Sequence, residues 1–247
     1  MNTNQAQPMT LTAAPDQTFI QNMFDRLSGR YDLFNRLTSL GLDGLWRKRT
    51  VSRLKPGMRV LDLGCGTGDL SLEAARKIGY GEVVGLDFSG KMLVIAQRRA
   101  QAKNRRYPSV KFEFVQKRVE DIPFENEPYD AVVSGFVLRN IYENIDAILR
   151  GVHASLKSSG QIAFLDFTEP SSPALKKAWQ FYMNTVAASF GRLLFGKDFP
   201  ESYMTESAAR FLKARELVMK LRATGFIDVR AEDLFMGIIV LYRGVKP

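Results

Sequence analysis

The chain has 247 residues, 35 basic and 26 acidic, for a formal net charge of +9. This length suits one large α/β domain with a sizeable core, and no stretch approaches the roughly 18 uninterrupted apolar residues of a bilayer-spanning helix. Cys65 and His153 are the only residues of their types, which excludes an intrachain disulfide and leaves too few ligands for a Cys/His zinc site.

Residues 1–18 are polar, lack the basic and apolar segments of a secretory signal, and read as a disordered tail. Residues 19–247 read as a single domain. Its first part, about 19–54, is an aromatic and leucine-rich helical segment. From Met58 short apolar runs alternate with helical stretches. "RVLDLG" reads as strand one and "DLSLEAARKI" as the helix after it. "GEVVGLDFS" is strand two, followed by the helix "GKMLVIAQRRAQA", then "VKFEFVQ" and "YDAVVSGF" as strands three and four. A helix over "NIDAILRGVHASLK" precedes strand five, "GQIAFLDF". A second aromatic helical segment, about 171–212, follows strand five, and "ARELVMKLRATGF" reads as the last helix. Alternating strands and helices imply a parallel sheet with right-handed crossovers. The last two strands, near "FIDVRAEDL" and "GIIVLYRGV", are too close for a crossover helix and must pair antiparallel.

The loop after strand one carries Gly64, Gly66 and Gly68, a G-x-G-x-G spacing, where a dinucleotide fingerprint has G-x-G-x-x-G. Asp62 precedes it, and Asp69 at the mouth of the next helix opposes a diphosphate. A phosphate-free ligand with a cationic amino group fits better, and S-adenosylmethionine (SAM) is such a ligand. Asp87, ending strand two, suits a ribose diol through charge-assisted hydrogen bonds, with Phe88 and Met92 placed to line an adenine; an N-cap role for Asp87 is the plainer alternative. Together the loop, Asp62 and Asp87 indicate a Rossmann-like class I methyltransferase with a seven-stranded, mostly parallel sheet.

The likeness extends further. "YDLFNRLTSLGLDGLW" is similar to the first signature of the UbiE/MenG family of quinone-biosynthesis C-methyltransferases, Y-D-x-M-N-x-x-x-S-x-x-x-H-x-x-W. Tyr31, Asp32, Asn35, Ser39 and Trp46 match, while Phe34 replaces the methionine and Asp43 the histidine. "FVLRNI" resembles the family's G-L-R-N-V element, "LKSSGQIAFLDFT" its second signature, with Asp166 for Glu and Thr168 for Ser, and "LYRGVKP" its C-terminal H-R-G-Y-K. The resemblance covers roughly residues 19 to 247. It implies SAM contacts at Thr67, Asp87, Arg118, Val119 and Gly135, with Ser134 beside the last. Arg118 departs from the family's Asn or Asp, since an arginine cannot accept from an adenine amino group. Asp198, in "KDFPES", stands where the family has tyrosine.

The resemblance further implies methylation of a ring carbon of a reduced, prenylated quinol. Arg139 is then the candidate stabiliser of the phenolate and Asn140 the group that orients the ring, although Arg139 could instead cap and salt-bridge the next helix. Asp43 and Tyr31 are the next candidates for proton handling, unless Tyr31 and Asp32 only pin the N-terminal helices to the core. His153 and Cys65 read as packing residues. A lipophilic substrate implies a cytoplasmic enzyme that touches the inner membrane face. Trp179, Phe181, Tyr182, Phe190 and Phe195, with Lys176, Lys177 and Arg192, suit an element docking on anionic lipid; a self-packed helical cap is the alternative. A homodimer is compatible with the sequence. A methyltransferase of another small aromatic or natural-product substrate stays as the near rival. An RNA methyltransferase, welcome to the charge but without an N/D-P-P-Y/F element, and a non-catalytic SAM-binding subunit are more distant; nucleic acid is not expected as a partner.

Overall fold

The computed structural model describes residues 25–103, 105–122, 128–196, 199 and 211–247. The expected N-terminal tail and the substitution at Asp198 lie outside these residues. Seven strands form one sheet: β1 (Arg59–Leu63), β2 (Gly81–Asp87), β3 (Val110–Gln116), β4 (Tyr129–Gly135), β5 (Leu156–Phe167), β6 (Ile227–Phe235) and β7 (Ile239–Val245). Their spatial order is β3-β2-β1-β4-β5-β7-β6. The first five are parallel, whereas β7 runs antiparallel to both β5 and β6. The expected Rossmann-like methyltransferase sheet is therefore present.

The helices are α1 (Tyr31–Thr38), α2 (Asp43–Thr50), α3 (Asp69–Ile78), α4 (Gly90–Lys103), α5 (Ile145–Ser155), α6 (Pro173–Tyr182), α7 (Ala188–Phe195) and α8 (Ala214–Ala223). Local chemistry sets several ends. Helix α3 has Asp69 in its first turn, Arg76 and Lys77 in its last, and Gly79 at φ +71° as its stop, as the macrodipole and a left-handed cap require. Helix α6 begins at Pro173 behind Ser172, whose side chain accepts from the Leu175 N–H. Helix α5 stops at Ser155, short of the expected "LK", because Leu156 is already in strand register opposite Tyr129 and buried.

Strand alternation divides the core. Leu61, Leu63, Val84 and Val132 face one layer with α5 and α8 residues such as Leu149 and Leu217. Val60, Val83, Ala131 and Val133 face the other, with Trp46, Leu70, Ile78 and Trp179. A π-helical turn, Met183–Ala187, joins α6 to α7. The N-terminal helices and this insert form a cap. Phe34 meets Phe195 and Phe199 edge-on, at 5.8 and 5.1 Å between ring centroids. The Tyr182 hydroxyl donates to the Thr38 carbonyl at 3.2 Å, and Arg30 Nη1 to the Leu194 carbonyl at 2.8 Å.

This packing corrects the docking expectation for most of the insert's aromatics. Trp179 is buried in the main core, Tyr182 is tied to α1, and Phe190 and Phe195 join the Phe34 cluster. Only Phe181 stands out, 69% exposed, together with Leu193 on α7. Lys176 is held by Glu169 at 2.7 Å. No helix among the described residues is long and apolar enough to cross a membrane.

Candidate active site

The strand order reverses on either side of β1, so a crevice opens beyond the carboxyl ends of β1 and β4, where open α/β sheets bind ligands. A cavity of about 440 Å³ fills it. The glycine loop forms its floor. Gly64 and Gly66 take φ of +67° and +55°, a region that costs other residues energy. At Gly64 the need is doubled, since a Cβ would stand 2.5 Å from a methyl of Val137. Gly68 serves differently. Its φ is +85° and a Cβ would press Ala96 at 3.1 Å, so it lets α3 pack on α4 and is not among the residues lining the cavity.

Two buried carboxylates face this space. Asp62 is fully buried; its Oδ2 accepts from the Ser71 hydroxyl at 2.6 Å, while Oδ1 has no partner. Burial pushes its pKa up to about 7, with Asp87 adding to the rise and Ser71 opposing it. An unsatisfied buried acceptor costs energy unless a ligand supplies the donor, and a cation supplies it best. Asp87 organises the loop: Oδ2 accepts from the Gly66 N–H and Oδ1 from the Ser89 N–H, both at 2.8 Å. Each oxygen keeps a lone pair for a diol. Burial raises its pKa to about 6. Phe88, Met92 and Val119 line the same cavity and offer apolar faces to a flat base. Arg118 lines it as well, although its side chain is half exposed and faces Glu120 at 3.8 Å.

Several expected residues take other places. The Ser134 hydroxyl donates to the Leu63 carbonyl at 2.8 Å, stitching β4 to β1, and does not line the cavity, whereas Gly135 does. Thr67 borders the cavity, but its hydroxyl donates to Asp32. Asp69 stays ionised, since the Arg47 and Arg99 guanidiniums hold its carboxyl below the usual range against the effect of burial, and the same two cations offset its repulsion of an anion. Arg99 also pairs with Asp32 at 2.7 Å, which locks α1 onto the loop.

A second, smaller and mainly apolar cavity lies under the cap, lined by Phe34, Trp46, Phe167, Trp179, Met183 and Phe199 among others. Tyr31 and Phe136 border both cavities, so they form the wall between them. Phe136 holds φ at +65°, rare for an aromatic residue, with its N–H donating to the Leu165 carbonyl at 2.7 Å. Its ring lies 5.1 Å from that of Phe167.

Among the described residues, the polar ones lining the apolar cavity are Arg139, Asp43, Asn35, Thr38 and Ser39, besides Tyr31 and Tyr182. Arg139 is buried and pairs with Asp166 at the end of β5, not with the helix that follows. The turn Leu138–Asn140 separates it from its neighbour: Arg139 lines the apolar cavity, and Asn140 the larger one. Burial pushes the Tyr31 hydroxyl up, with Arg139 opposing. Asp43 is spoken for. Its Oδ1 takes Arg36 Nε at 3.1 Å and the Ser39 hydroxyl at 3.2 Å, and its Oδ2 takes Arg47. Arg99 and Phe136 escape a reading of local motifs because their partners stand far away in sequence, and Arg47, although it pairs with Asp43 four residues away, because the cavity and the Asp69 it faces come from elsewhere in the chain.

A profile of the ubiE/COQ5 methyltransferase family matches residues 11–246. The chain is 37% identical over 242 residues to the demethylmenaquinone methyltransferase of Clavibacter sepedonicus, covering 96% of this chain and 93% of that one. It is 35% identical over 230 residues to the 2-phytyl-1,4-naphtoquinone methyltransferase of Nostoc punctiforme, covering 91% and 98%. Among solved structures, magnesium protoporphyrin IX methyltransferase from Synechocystis PCC 6803 with bound SAH aligns at a TM-score of 0.61 and 21% identity. That match covers 94% of this chain and all of the other, and shares the fold. The orphaned Asp62 oxygen, the Asp87 diol acceptor and the apolar faces beside them fit S-adenosylmethionine. With the family match over nearly its whole length, the chain belongs to the ubiE/COQ5 methyltransferase family and is a SAM-dependent methyltransferase.

Proposed function

We propose that the enzyme methylates a ring carbon of a reduced, prenylated naphthoquinol in quinone biosynthesis. One observation carries this reading: an apolar cavity holding a buried arginine adjoins the cofactor cavity, and among the described residues Tyr31 and Phe136 border both. The relatives named above, acting on a demethylmenaquinone and a phytyl-naphthoquinone, support the bicyclic ring.

SAM supplies an electrophilic methyl group. The ring carbon takes it as the sulfur–carbon bond breaks, and the ring proton is released, so the sulfonium charge is neutralised. The residues act on the ring. Arg139, held by Asp166, meets the quinol oxygen and stabilises its anionic form, which makes the adjacent carbon a better nucleophile. Tyr31, whose hydroxyl is protonated at pH 7 and is pushed further up by burial, donates at the wall between the cavities. Asn140 lies on the cofactor side, so its assigned role shifts from the ring to the transferring end. Asp43 has its oxygens engaged by two arginines and a serine and is assigned to holding Arg47, not to taking up a proton. The apolar walls exclude water. The prenyl tail belongs on the cap side, where Phe181 and Leu193 are exposed to meet lipid.

The test supplies reduced demethylmenaquinol in vesicles with labelled SAM and follows the product by mass spectrometry. A gain of one methyl on the ring is expected. Phe181→Ser with Leu193→Ser should raise the apparent KM and leave adenosylhomocysteine binding unchanged. No methylated naphthoquinol, with turnover of another aromatic instead, overturns the substrate; an unchanged KM overturns the lipid contact.

A further inference from the structure

SAM carries at its methionine end an ammonium and a carboxylate on one carbon, so the two groups must be received at one end of the cavity. The unpartnered Oδ1 of Asp62 marks where the ammonium goes. Among the described residues, three that line the cavity carry positive charge: Arg47, Lys117 and Arg118. Lys117 and Arg118 follow β3, and the Lys117 N–H donates to the Asp87 carbonyl at 3.1 Å, which places them by the ribose and base. Arg47 comes from α2 on the other side. Its guanidinium lies 5.8 Å from the Phe136 ring and is near enough to Asp62 to favour that carboxylate's ionised form.

We infer that Arg47 is the anchor of the cofactor's carboxylate and that Asp43 is the positioning residue that aims it. The Arg47 side chain is 9% exposed, so a bond made there is little screened. Its Nη1 donates to Asp43 Oδ2, and its Nη2 stands 3.7 Å from Asp69 Oδ2, an ion pair beyond hydrogen-bond reach. A guanidinium has five N–H donors, so the bond to Asp43 fixes its plane and leaves donors for a second carboxylate. Asp69 feels Arg47 only as an ion pair at 3.7 Å, whereas Arg99 hydrogen-bonds it directly. Asp43 lines the apolar cavity and Arg47 the cofactor cavity, so this pair joins the two sites.

The experiment is calorimetric titration of the full chain with adenosylhomocysteine and with its decarboxylated analogue, which keeps the amine and lacks only the carboxylate. The wild type should prefer adenosylhomocysteine by roughly ten- to a hundredfold, the range of a charged hydrogen bond. Arg47→Met should bind both ligands equally, with the analogue weakened only as far as loss of Arg47 raises the Asp62 pKa, a weakening that fades as the titration is moved to higher pH. Arg47→Lys, which keeps charge and fold but loses the planar fork, should retain only part of the preference. Asp43→Asn should reduce the preference while leaving the analogue's affinity alone. Equal weakening of both ligands by Arg47→Met would mean a structural role and overturn the inference. So would a wild type that does not distinguish the ligands, or, if Arg47→Met does not fold, an undiminished preference in Arg47→Lys. A wild type that binds neither ligand would refute the cofactor site as a whole.

Discussion

Arg139 Nη1 lies 2.9 Å from Asp166 Oδ1, and the Arg139 backbone N–H donates to Oδ2 at 3.1 Å, with both side chains nearly sealed from solvent. The Arg139 guanidinium also donates to the Phe136 carbonyl at 2.7 Å and lies over the Phe167 ring. The pair thus links the ends of β4 and β5 to the aromatic wall of the apolar cavity. A buried ion pair adds little net stability over an apolar pair, but removing one partner strands the other.

Arg139→Ala should therefore lower unfolding free energy by about 3–5 kcal/mol, with Arg139→Lys losing less. Urea denaturation measures this. In variants that still fold, turnover should fall far more than adenosylhomocysteine affinity, because Arg139 lines the apolar cavity and not the cofactor cavity. Equal losses would refute a role in stabilising the quinol anion.

Asp62 should make cofactor binding depend on pH. Burial raises its pKa to about 7. An acid raised in the folded state favours folding fully below its unfolded value of about 4, and this contribution is lost as pH rises through 7. Binding has the opposite sign, since an ammonium needs the carboxylate. Adenosylhomocysteine affinity should thus rise with pH to a plateau above 7 and be about tenfold weaker at pH 6. Titration in buffers of different ionisation enthalpy should detect proton release at pH 6. Asp62→Asn should abolish this step and leave a shallower one near 6 from Asp87.

The loop glycines can be separated by substitution. Gly64→Ala should lose most cofactor affinity, since a Cβ there would stand 2.5 Å from Val137 at an unfavourable φ. Combining it with Val137→Gly removes the clash and leaves only the backbone strain, about 1–2 kcal/mol. The double variant should recover part of the affinity in the same titration. No recovery would show that the Val137 contact is not what fixes Gly64.

The sheet was legible because each parallel strand is a short apolar run bounded by a helix, and β3 and α3 begin and end where the sequence places them. Asp62, Asp87, Gly64, Gly66 and Val119 were legible because a loop after strand one and a strand-ending acid are local features. That the Ser134 hydroxyl finds the Leu63 carbonyl, while Gly135 beside it lines the cavity, was not legible because the partner lies on another strand 71 residues earlier. The aromatics of the insert read as an outer face because they are hydrophobic, whereas their partner surface, α1, lies about 150 residues earlier. The links from Arg47 to Asp69, from Asp69 to Arg99 and from Arg99 to Asp32 were invisible for the same reason: they join four helices, and only Asp43 and Arg47, four residues apart on α2, are neighbours in sequence.

The roof over the apolar chamber is fastened by two bonds whose acceptors are main-chain carbonyls, Tyr182 to Thr38 and Arg30 to Leu194. A carbonyl is present whatever side chain its residue bears, so each fastening constrains identity on one side of the joint only. Substitution at Thr38 or Leu194 therefore leaves each fastening in place, whereas substitution at Tyr182 or Arg30 releases it.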